Sequence, residues 1–304
     1  MKKLLVTGAS GFLGWHLCRL AQAIGQVYGI YHHQAIAAKY PQGVASSHPQ
    51  EAALPQILSI PLDLTDLTAL KTQFQILKPD AVIHTAAISS PNACQENPIP
   101  SSAVNVHASW HLAELSAAAQ IPYLFTSSEQ VFNGLNPPYR ETDRVCPINH
   151  YGEQKVAAEV GILERHPAAT ICRMPLMYGV APRPSFIQPF IEALKSGQPL
   201  NLFTDEIRNP VSGTAAAQGI LMALEKQVTG YLHLGGKEQL SRYEMGLLLA
   251  DILQIESPKL NACRQADVKM SAPRPPNASL DSSVAYSLGY APRSMREELR
   301  ELLN

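Results

Sequence analysis

A tyrosine and a lysine four positions apart, Tyr151 and Lys155, have the residue types and spacing of a proton-transfer pair. Positions i and i+4 share one face of a helix, so the Lys155 ammonium is expected beside the Tyr151 phenol. A phenol titrates near 10, and a neighbouring cation lowers that pKa toward neutral pH. Such a phenol gives a proton to a carbonyl being reduced or takes one from an alcohol being oxidised. The pair alone is weak support for catalysis, because the same spacing occurs on exposed helix faces.

Three glycines, Gly8, Gly11 and Gly14, follow the first apolar run of the chain and open a helical stretch. In a nucleotide-binding turn the first glycine permits the tight turn, the second lets the backbone approach a pyrophosphate, and the third lets helix and strand pack closely. The helix N-terminus adds N–H donors and a positive dipole. The spacing predicts a dinucleotide site in this turn, which also contains Ser10, Phe12 and Leu13.

Cofactor choice depends on the end of the second predicted strand, Tyr31-His32-His33, which carries no acid. An acidic side chain there would accept from the ribose 2′-hydroxyl and select NAD. Its absence beside two histidines predicts NADP(H) in preference to NAD(H), with His32 near the 2′-phosphate. The alternative is that both histidines merely face solvent. Elsewhere His107 and His111 have helical spacing but no evident third ligand, so no metal site is predicted.

Short apolar runs alternate with helical stretches, which predicts an α/β fold: a Rossmann-type doubly wound parallel sheet with a smaller C-terminal α/β substrate-binding region. We predict an NAD(P)-binding domain over 1–174 and a substrate-binding region over 175–304, with segments such as 212–240 returning to the Rossmann core. Predicted strands are 3–7, 27–31, 57–61, 81–85, 123–127, 170–174 and 231–234. Predicted helices are 12–24, 65–77, 101–119, 150–165, 185–196, 214–227, 241–255 and 295–303. Residues 34–56 lack periodicity and are expected to form a surface excursion.

Composition excludes several classes of protein. The chain has 304 residues, with 24 Lys and Arg against 25 Asp and Glu, for a formal charge of −1. This balance argues against a surface that neutralises nucleic-acid phosphates or anionic lipid. No apolar stretch approaches the roughly 18 residues of a membrane span. The five cysteines form no C-x-x-C pair, which favours free thiols in a cytoplasmic protein.

Together with the glycine turn and the Tyr151/Lys155 pair, further motifs resemble the extended short-chain dehydrogenase/reductases, within them the dTDP-4-dehydrorhamnose reductase-like branch. The matching stretches run over the whole chain in the family's order. They are 62–66, 84–87, 105–106, 128–134, 139–143, 173–179, 203–210 and 274–281.

The resemblance implies roles for individual residues. Ser128 would hydrogen-bond the substrate carbonyl, Tyr151 would be the acid/base, and Lys155 would polarise Tyr151 and hold the nicotinamide ribose. Further cofactor contacts implied by the family are Asp63, Leu64, Ala86, Ala87, Asn105 and Arg173. Implied substrate contacts are Ser89, Glu129, Gln130, Arg208 and Arg274, of which Arg274 would reach a substrate diphosphate.

One departure bears on the substrate. Rhamnose-forming relatives typically carry Asp-Tyr where this chain has Glu129-Gln130, so the identity of the sugar stays open. Two simpler alternatives also stay open, namely that Glu129 points to solvent and that Arg274 is a surface residue at a proline-stiffened turn.

The expected function is an NADP(H)-dependent reductase of a ketone on a nucleotide sugar or a similar small carbonyl compound. An NAD-dependent epimerase or dehydratase and a non-catalytic NADP-binding regulatory subunit are the alternatives. The resemblance also suggests a homodimer formed by helices 101–119 and 150–165, although the apolar faces of these helices would pack equally well inside one subunit.

Overall fold

A computed structural model describes residues 2–33 and 57–303, so the predicted surface excursion lies outside the described residues. The strands are β1 Lys2–Thr7, β2 Gly25–Tyr31, β3 Ile57–Pro61, β4 Ala81–His84, β5 Tyr123–Ser128, β6 Thr170–Met174, β7 Met177–Tyr178, β8 Leu200–Phe203, β9 Ile207–Arg208, β10 Val211–Ser212, β11 Gly230–His233, β12 Leu240–Ser241 and β13 Leu260–Cys263. The α-helices are α1 Phe12–Ala21, α2 Leu67–Leu77, α3 Pro91–Glu96, α4 Pro98–Ser102, α5 Ala108–Ala118, α6 His150–Arg165, α7 Ile187–Ser196, α8 Gly213–Glu225, α9 Arg242–Ile252, α10 Ser283–Ser287 and α11 Met295–Leu303.

Seven strands form one parallel sheet in the order β11-β6-β5-β4-β1-β2-β3. From β1 the chain adds β2 and then β3 on one side of the sheet. It then returns to the other side of β1 and adds β4, β5, β6 and β11, so the strand order reverses beside β1. The sheet is covered on both faces, and its central strands β1, β4 and β5 are almost entirely buried. The predicted α/β class with a doubly wound parallel sheet is confirmed. In such sheets ligands bind at the carboxyl ends of the strands near the reversal point.

The last strand of the large sheet comes from the second half of the chain. β11 pairs in parallel with β6, and α8 packs against α1 on one face of the sheet. Residues 213–233 therefore belong structurally to the parallel sheet. The division of the chain at residue 174 stays a prediction.

The remaining C-terminal elements form a smaller layer around their own apolar core, built from α7, α9 and α11 with the short parallel pair β8 and β13. The start of α9 is determined locally. Ser241 accepts from the backbone N–H of Glu244, and the Glu244 carboxylate accepts from the backbone N–H of Ser241. This reciprocal capping box satisfies two otherwise unpaired donors.

The helix predicted over 101–119 is interrupted. A short α4 is followed by a π-helical turn at Ala103–His107, and only then by α5. Such turns frequently mark functional sites, because the wider turn redirects a side chain. Beyond it, α5 packs against α6 within the same subunit, where Trp110 donates to the carbonyl of Ala157 at 3.1 Å.

Candidate functional site

A cleft of about 840 Å³ opens at the carboxyl ends of β1, β2, β4 and β5. It brings together most residues that the sequence singled out. Those in its lining are Gly8, Ser10, Gly11, Phe12, Leu13, Gly14, His32, Asp63, Leu64, Ala86, Ala87, Ser89, Ser128, Tyr151 and Lys155. The predicted nucleotide turn and the predicted proton-transfer pair therefore face one cavity.

The glycine turn at one end of the cleft has no room for side chains. Gly8 has a φ of +68°, and a Cβ there would lie 2.7 Å from the backbone of Ala86. A Cβ on Gly14 would lie 2.1 Å from the carbonyl oxygen of Gly8. Both distances are shorter than real Cβ contacts, so glycine is required at these positions.

The first turn of α1 is suited to an anion. Its N-cap is Gly11, no side chain caps the helix, and the first turn contains no acidic residue. The unpaired N–H groups and the positive end of the helix dipole thus face the cleft. With the glycine cradle beside it, this arrangement fits the pyrophosphate of a dinucleotide.

His32, His33 and Asp63 line the cleft beyond the end of β2. The two imidazole rings stack with centroids 3.7 Å apart, and His32 Nε2 lies 3.6 Å from Asp63 Oδ2. Hydrogen bonds from the backbone and side chain of Thr65 hold the pKa of Asp63 below its ordinary value. About half of the side chain of each of His32 and Asp63 is exposed.

Ser128, Tyr151 and Lys155 meet at the other end of the cleft. Ser128 ends β5, where its Oγ accepts from the backbone N–H of Gln130 at 3.2 Å and its hydroxyl lies near the Tyr151 phenol. Lys155 Nζ donates to the carbonyl of Thr126 at 2.8 Å and lies 5.8 Å from the Tyr151 ring centroid. Two hydroxyls and an ammonium group therefore converge on one wall of the cavity.

The electrostatics of the pair differ from the expectation. Burial raises the pKa of Tyr151 above its ordinary value, while the hydrogen bond to Ser128 opposes that rise. Burial also lowers the pKa of Lys155 to about 8. The prediction that Lys155 brings the pKa of Tyr151 down toward neutral is wrong for this arrangement, because desolvation of the phenolate is the larger effect. Tyr151 is held as a protonated phenol.

Asn105 lies behind the cleft rather than in its lining. From the π-helical turn its side chain accepts from the backbone N–H of Ile88 at 2.8 Å and donates to the carbonyl of Ile88 at 3.1 Å. It also donates to Gln154 Oε1 at 2.8 Å. Asn105 therefore positions the loop after β4, including Ala86 and Ala87, against α6.

Arg173 was predicted to contact the cofactor, and that contact stays a prediction. Its side chain is 2% exposed and outside the cleft lining. It forms a two-pronged ion pair with Glu159, from Nε at 3.0 Å and Nη2 at 2.8 Å. The guanidinium also lies over the rings of Phe132 and Tyr231, at 5.1 and 4.3 Å from their centroids. A cation with these partners is part of the core.

Glu129 and Arg208 are also buried, so the alternative that Glu129 faces solvent is wrong, while their contact with the substrate stays a prediction. Arg208 Nε lies 2.8 Å from Glu129 Oε1, and the two side chains are 1% and 5% exposed. Glu206 bridges Arg208 to Arg242. Burial raises the pKa of Glu129 to about 7 despite the arginines. These charges form an internal network beside the cleft.

Gln130 and Arg274 lie outside the cleft lining and join the segment near residue 273 to the large sheet. Asn149 donates from its amide to Gln130 Oε1 at 3.0 Å and to the carbonyl of Pro273 at 2.9 Å. Arg274 is half-buried and donates to the carbonyl of Ala272 at 3.0 Å and to Asn92 Oδ1 at 2.9 Å. Arg274 is thus a partly exposed arginine with contacts inside the chain, and both its role at a substrate diphosphate and the alternative of a surface arginine at a proline-stiffened turn stay open.

Two functional candidates were missed by the sequence reasoning. Arg183, an exposed cation, lines the cleft together with Met177 and Pro184. No pattern in its own segment marks it, since it follows from how the chain crosses the sheet after β7. Glu159 lies beneath the catalytic end, and its position eight residues after Tyr151 on the same helix was a usable signal.

Within residues 2–33 and 57–303 no cluster of three metal-ligating side chains occurs. In the same ranges no helix is both long enough and apolar enough to cross a membrane.

The parallel sheet, its glycine turn and the cleft at the strand ends define a Rossmann-type nucleotide-binding protein. The whole chain, residues 1–304, matches the RmlD substrate binding domain family, and the protein belongs to that family. The predicted family resemblance is thus confirmed.

Individual relatives differ in what their names describe. The chain is 32% identical over 251 residues to methionine adenosyltransferase 2 subunit beta of Xenopus laevis, covering 80% of this chain and 75% of that one. It is 28% identical over 304 residues to the probable low-salt glycan biosynthesis reductase of Haloferax volcanii, covering 98% and 96%. Its structure superposes on a hypothetical dTDP-4-dehydrorhamnose reductase from Sulfolobus tokodaii with a TM-score of 0.78 at 28% identity, covering 94% of each chain.

Proposed function

We propose that the protein is an NADP(H)-dependent oxidoreductase that reduces a ketone on a nucleotide sugar or a related small carbonyl compound. The observation that carries this proposal is that Ser128, Tyr151 and Lys155 line the same cleft as the glycine turn. A proton donor and a dinucleotide cradle in one cavity are the two parts that carbonyl reduction needs.

The reaction follows from what each side chain can do. A reduced nicotinamide bound in the cleft supplies the hydride. Ser128 hydrogen-bonds the substrate carbonyl and orients it toward Tyr151. Tyr151, kept protonated by burial, gives its phenolic proton to the oxygen as negative charge develops there. Lys155 places a positive charge beside the phenolate that remains.

The adenosine end of the cleft supports NADP(H) over NAD(H). The end of β2 offers two imidazoles and no carboxylate to a ribose 2′-phosphate. His32 Nε2 lies 3.6 Å from Asp63 Oδ2, and His32 is the side chain that we propose to face the 2′-phosphate.

A nucleotide sugar is supported by cations near the catalytic end. The guanidinium of the half-buried Arg274 donates to the carbonyl of Ala272 and to Asn92 Oδ1. Because Asn92 is three residues after Ser89, the positive charge lies near the loop that carries Ser89. Arg183 lines the cleft itself. A guanidinium pairs with a diphosphate through two parallel hydrogen bonds. The dTDP-4-dehydrorhamnose reductase and glycan biosynthesis reductase names of the relatives agree with such a substrate.

A dehydratase or epimerase has less support. These reactions need further acid or base groups around the sugar, and Glu129 is the nearest carboxylate after Ser128. Glu129 is buried against Arg208 and outside the cleft lining, so it does not supply that group in this arrangement.

The second candidate is a non-catalytic NADP-binding regulatory subunit. It is favoured by the similarity to methionine adenosyltransferase 2 subunit beta, at 32% identity over 251 residues, against 28% over 304 residues for the glycan biosynthesis reductase. A homodimer through α5 and α6 stays a prediction.

The experiment that separates the two candidates uses the purified chain alone. NADPH oxidation is followed against a panel of keto-sugar nucleotides and small ketones, with Tyr151→Phe as the matched control. Turnover that depends on Tyr151 supports the reductase. Tight NADPH binding without turnover on any panel member supports the regulatory subunit.

A further inference from the structure

One face of α6 carries three ionisable side chains in successive turns. Tyr151, Lys155 and Glu159 are spaced four residues apart and are 7%, 1% and 1% exposed. Side chains at i and i+4 lie about 5–6 Å apart at Cβ. Glu159 is therefore the buried carboxylate next to Lys155, on the side away from Tyr151.

Glu159 is held in place by two other strands. Its Oε1 accepts from the Ser127 hydroxyl at 2.5 Å, and Arg173 contacts both carboxylate oxygens from β6. Tyr231 on β11 is a further titratable group near Glu159, and His233 Nε2 lies 3.4 Å from Arg173 Nη1. A bidentate arginine and a hydroxyl donor thus fix the position of this buried carboxylate.

Among the described residues, Glu159 is the carboxylate that acts electrostatically on Lys155. Its ammonium donates to the carbonyl of Thr126 and lies 4.5 Å from the Phe125 ring centroid. Burial is the largest influence and lowers the pKa of Lys155, whereas Glu159, and then the Cys94 thiol on α3, act in the opposite direction. His84 on β4 also faces Lys155, and burial keeps it neutral by lowering its pKa to about 3.

We propose that Glu159 is a positioning residue that keeps Lys155 in its charged form, with Arg173 setting how much of the Glu159 charge Lys155 feels. The inference rests on the proposed function, because it concerns the ammonium group beside Tyr151. Arg173 was predicted from the sequence to contact the cofactor. In this proposal it acts on Lys155 indirectly, through Glu159.

The arrangement predicts opposite effects of two substitutions. Glu159→Gln keeps the shape but removes the negative charge, so Lys155 should lose its proton at lower pH. Removal of an opposite charge one helical turn away should lower the midpoint of the Lys155 titration by about one pH unit. Arg173→Gln removes the competing cation, so Lys155 should keep its proton to higher pH. Glu164→Gln, at an exposed position of the same helix, is the matched control and should change nothing.

The titration of Lys155 is measured directly by NMR on protein labelled with 13C at the lysine ε-carbon, with Lys155→Met to assign its signal. The pH profile of kcat is recorded for the same variants. The proposal expects the Lys155 titration and the alkaline limb of kcat to move down in Glu159→Gln and up in Arg173→Gln.

A merely structural role would instead lower kcat at every pH in both variants and leave the midpoint of the Lys155 titration in place, and that result overturns the proposal. Either variant alone decides the role of Glu159. If one of the two variants does not fold, the titration of Lys155 in the other variant still gives the answer. If the wild-type chain turns over no carbonyl, the proposed function fails, while the NMR titration still decides the role of Glu159.

Discussion

Tyr151 on α6 lies close to Ser128, the last residue of β5, whose Oγ accepts from the backbone N–H of Gln130 at 3.2 Å. The strand end and the helix thus meet at the point where, in the proposed reaction, a carbonyl oxygen would receive its proton.

Tyr151→Phe removes the transferable proton and keeps the ring. We expect kcat to fall by roughly 10²-fold or more, the usual contribution of a general acid. The dissociation constant for NADPH and the thermal midpoint should stay near wild type, as measured by fluorescence titration and calorimetry. Near-normal turnover in this variant would remove Tyr151 from the mechanism.

NADPH should bind more tightly than NADH, because the end of β2 presents imidazoles and no acid. A histidine becomes a cation as the pH falls through about 6.5, so the preference should weaken as the pH rises past that value. The measurement is the ratio of the two dissociation constants at pH 6 and pH 8, in wild type and in His32→Ala. Equal dissociation constants at pH 6 would contradict the assignment of His32.

Arg274→Ala should raise KM for a nucleotide sugar. A lost charge-assisted hydrogen bond is worth about 1.5–3 kcal/mol, which corresponds to roughly a 10- to 150-fold rise. NADPH affinity should not change, and the KM of a small ketone without phosphate should not respond.

Asn92→Ala controls for the contact that Arg274 makes in the absence of substrate. Arg183→Ala tests the arginine that lines the cleft. If only Arg183→Ala raises KM, the diphosphate is bound from the other side of the cleft. If neither does, the substrate carries no diphosphate.

The free energy of unfolding should decrease as the pH falls from 7 to 5. Burial, with a smaller contribution from Arg19, lowers the pKa of His16 to about 3, and burial lowers that of His84 to about 3. When folding lowers the pKa of a histidine, its contribution to stability is fully present at pH values above the pKa of the unfolded chain. That contribution is lost as the pH falls from there toward the pKa of the folded protein, because only the unfolded chain takes up the proton. Each such histidine costs ~2 kcal/mol between pH 7 and pH 5.

His16→Asn should therefore shrink the difference in unfolding free energy between pH 7 and pH 5 by ~2 kcal/mol, whatever its effect at pH 7. Urea unfolding at the two pH values measures this. His107→Asn, at an exposed position, should leave the difference unchanged. An unchanged difference in His16→Asn would show that His16 does not stay neutral.

The sequence predicted the parallel sheet well because each strand is a short apolar run followed by a turn and an amphipathic helix. Strands β3 and β6 and helices α6 and α11 have the predicted bounds. The glycine turn was interpretable because Gly8 and Gly14 are required by backbone contacts that follow from the motif itself. The π-helical turn at Asn105 was not, since it depends on a contact with Ile88 from another element.

Charged residues were the hardest to place from the sequence. The family resemblance implied a cofactor contact for Arg173 and substrate contacts for Arg208 and Glu129. In the structure each is buried by a partner distant in the chain, Arg173 by Glu159 and Arg208 by Glu129. Such pairing depends on how strands and helices are brought together, and the spacing of residues along one segment does not reveal it.

The central claim is that this chain transfers hydride to a carbonyl with Tyr151 as proton donor. The most direct test incubates the purified chain with NADPH carrying deuterium at the transferable position of C4 and a keto-sugar nucleotide, and analyses the sugar by mass spectrometry. The account predicts one deuterium at the former carbonyl carbon with wild-type protein and at least a 10²-fold slower incorporation with Tyr151→Phe. NADPH that binds the chain while the sugar remains an unlabelled ketone would contradict it.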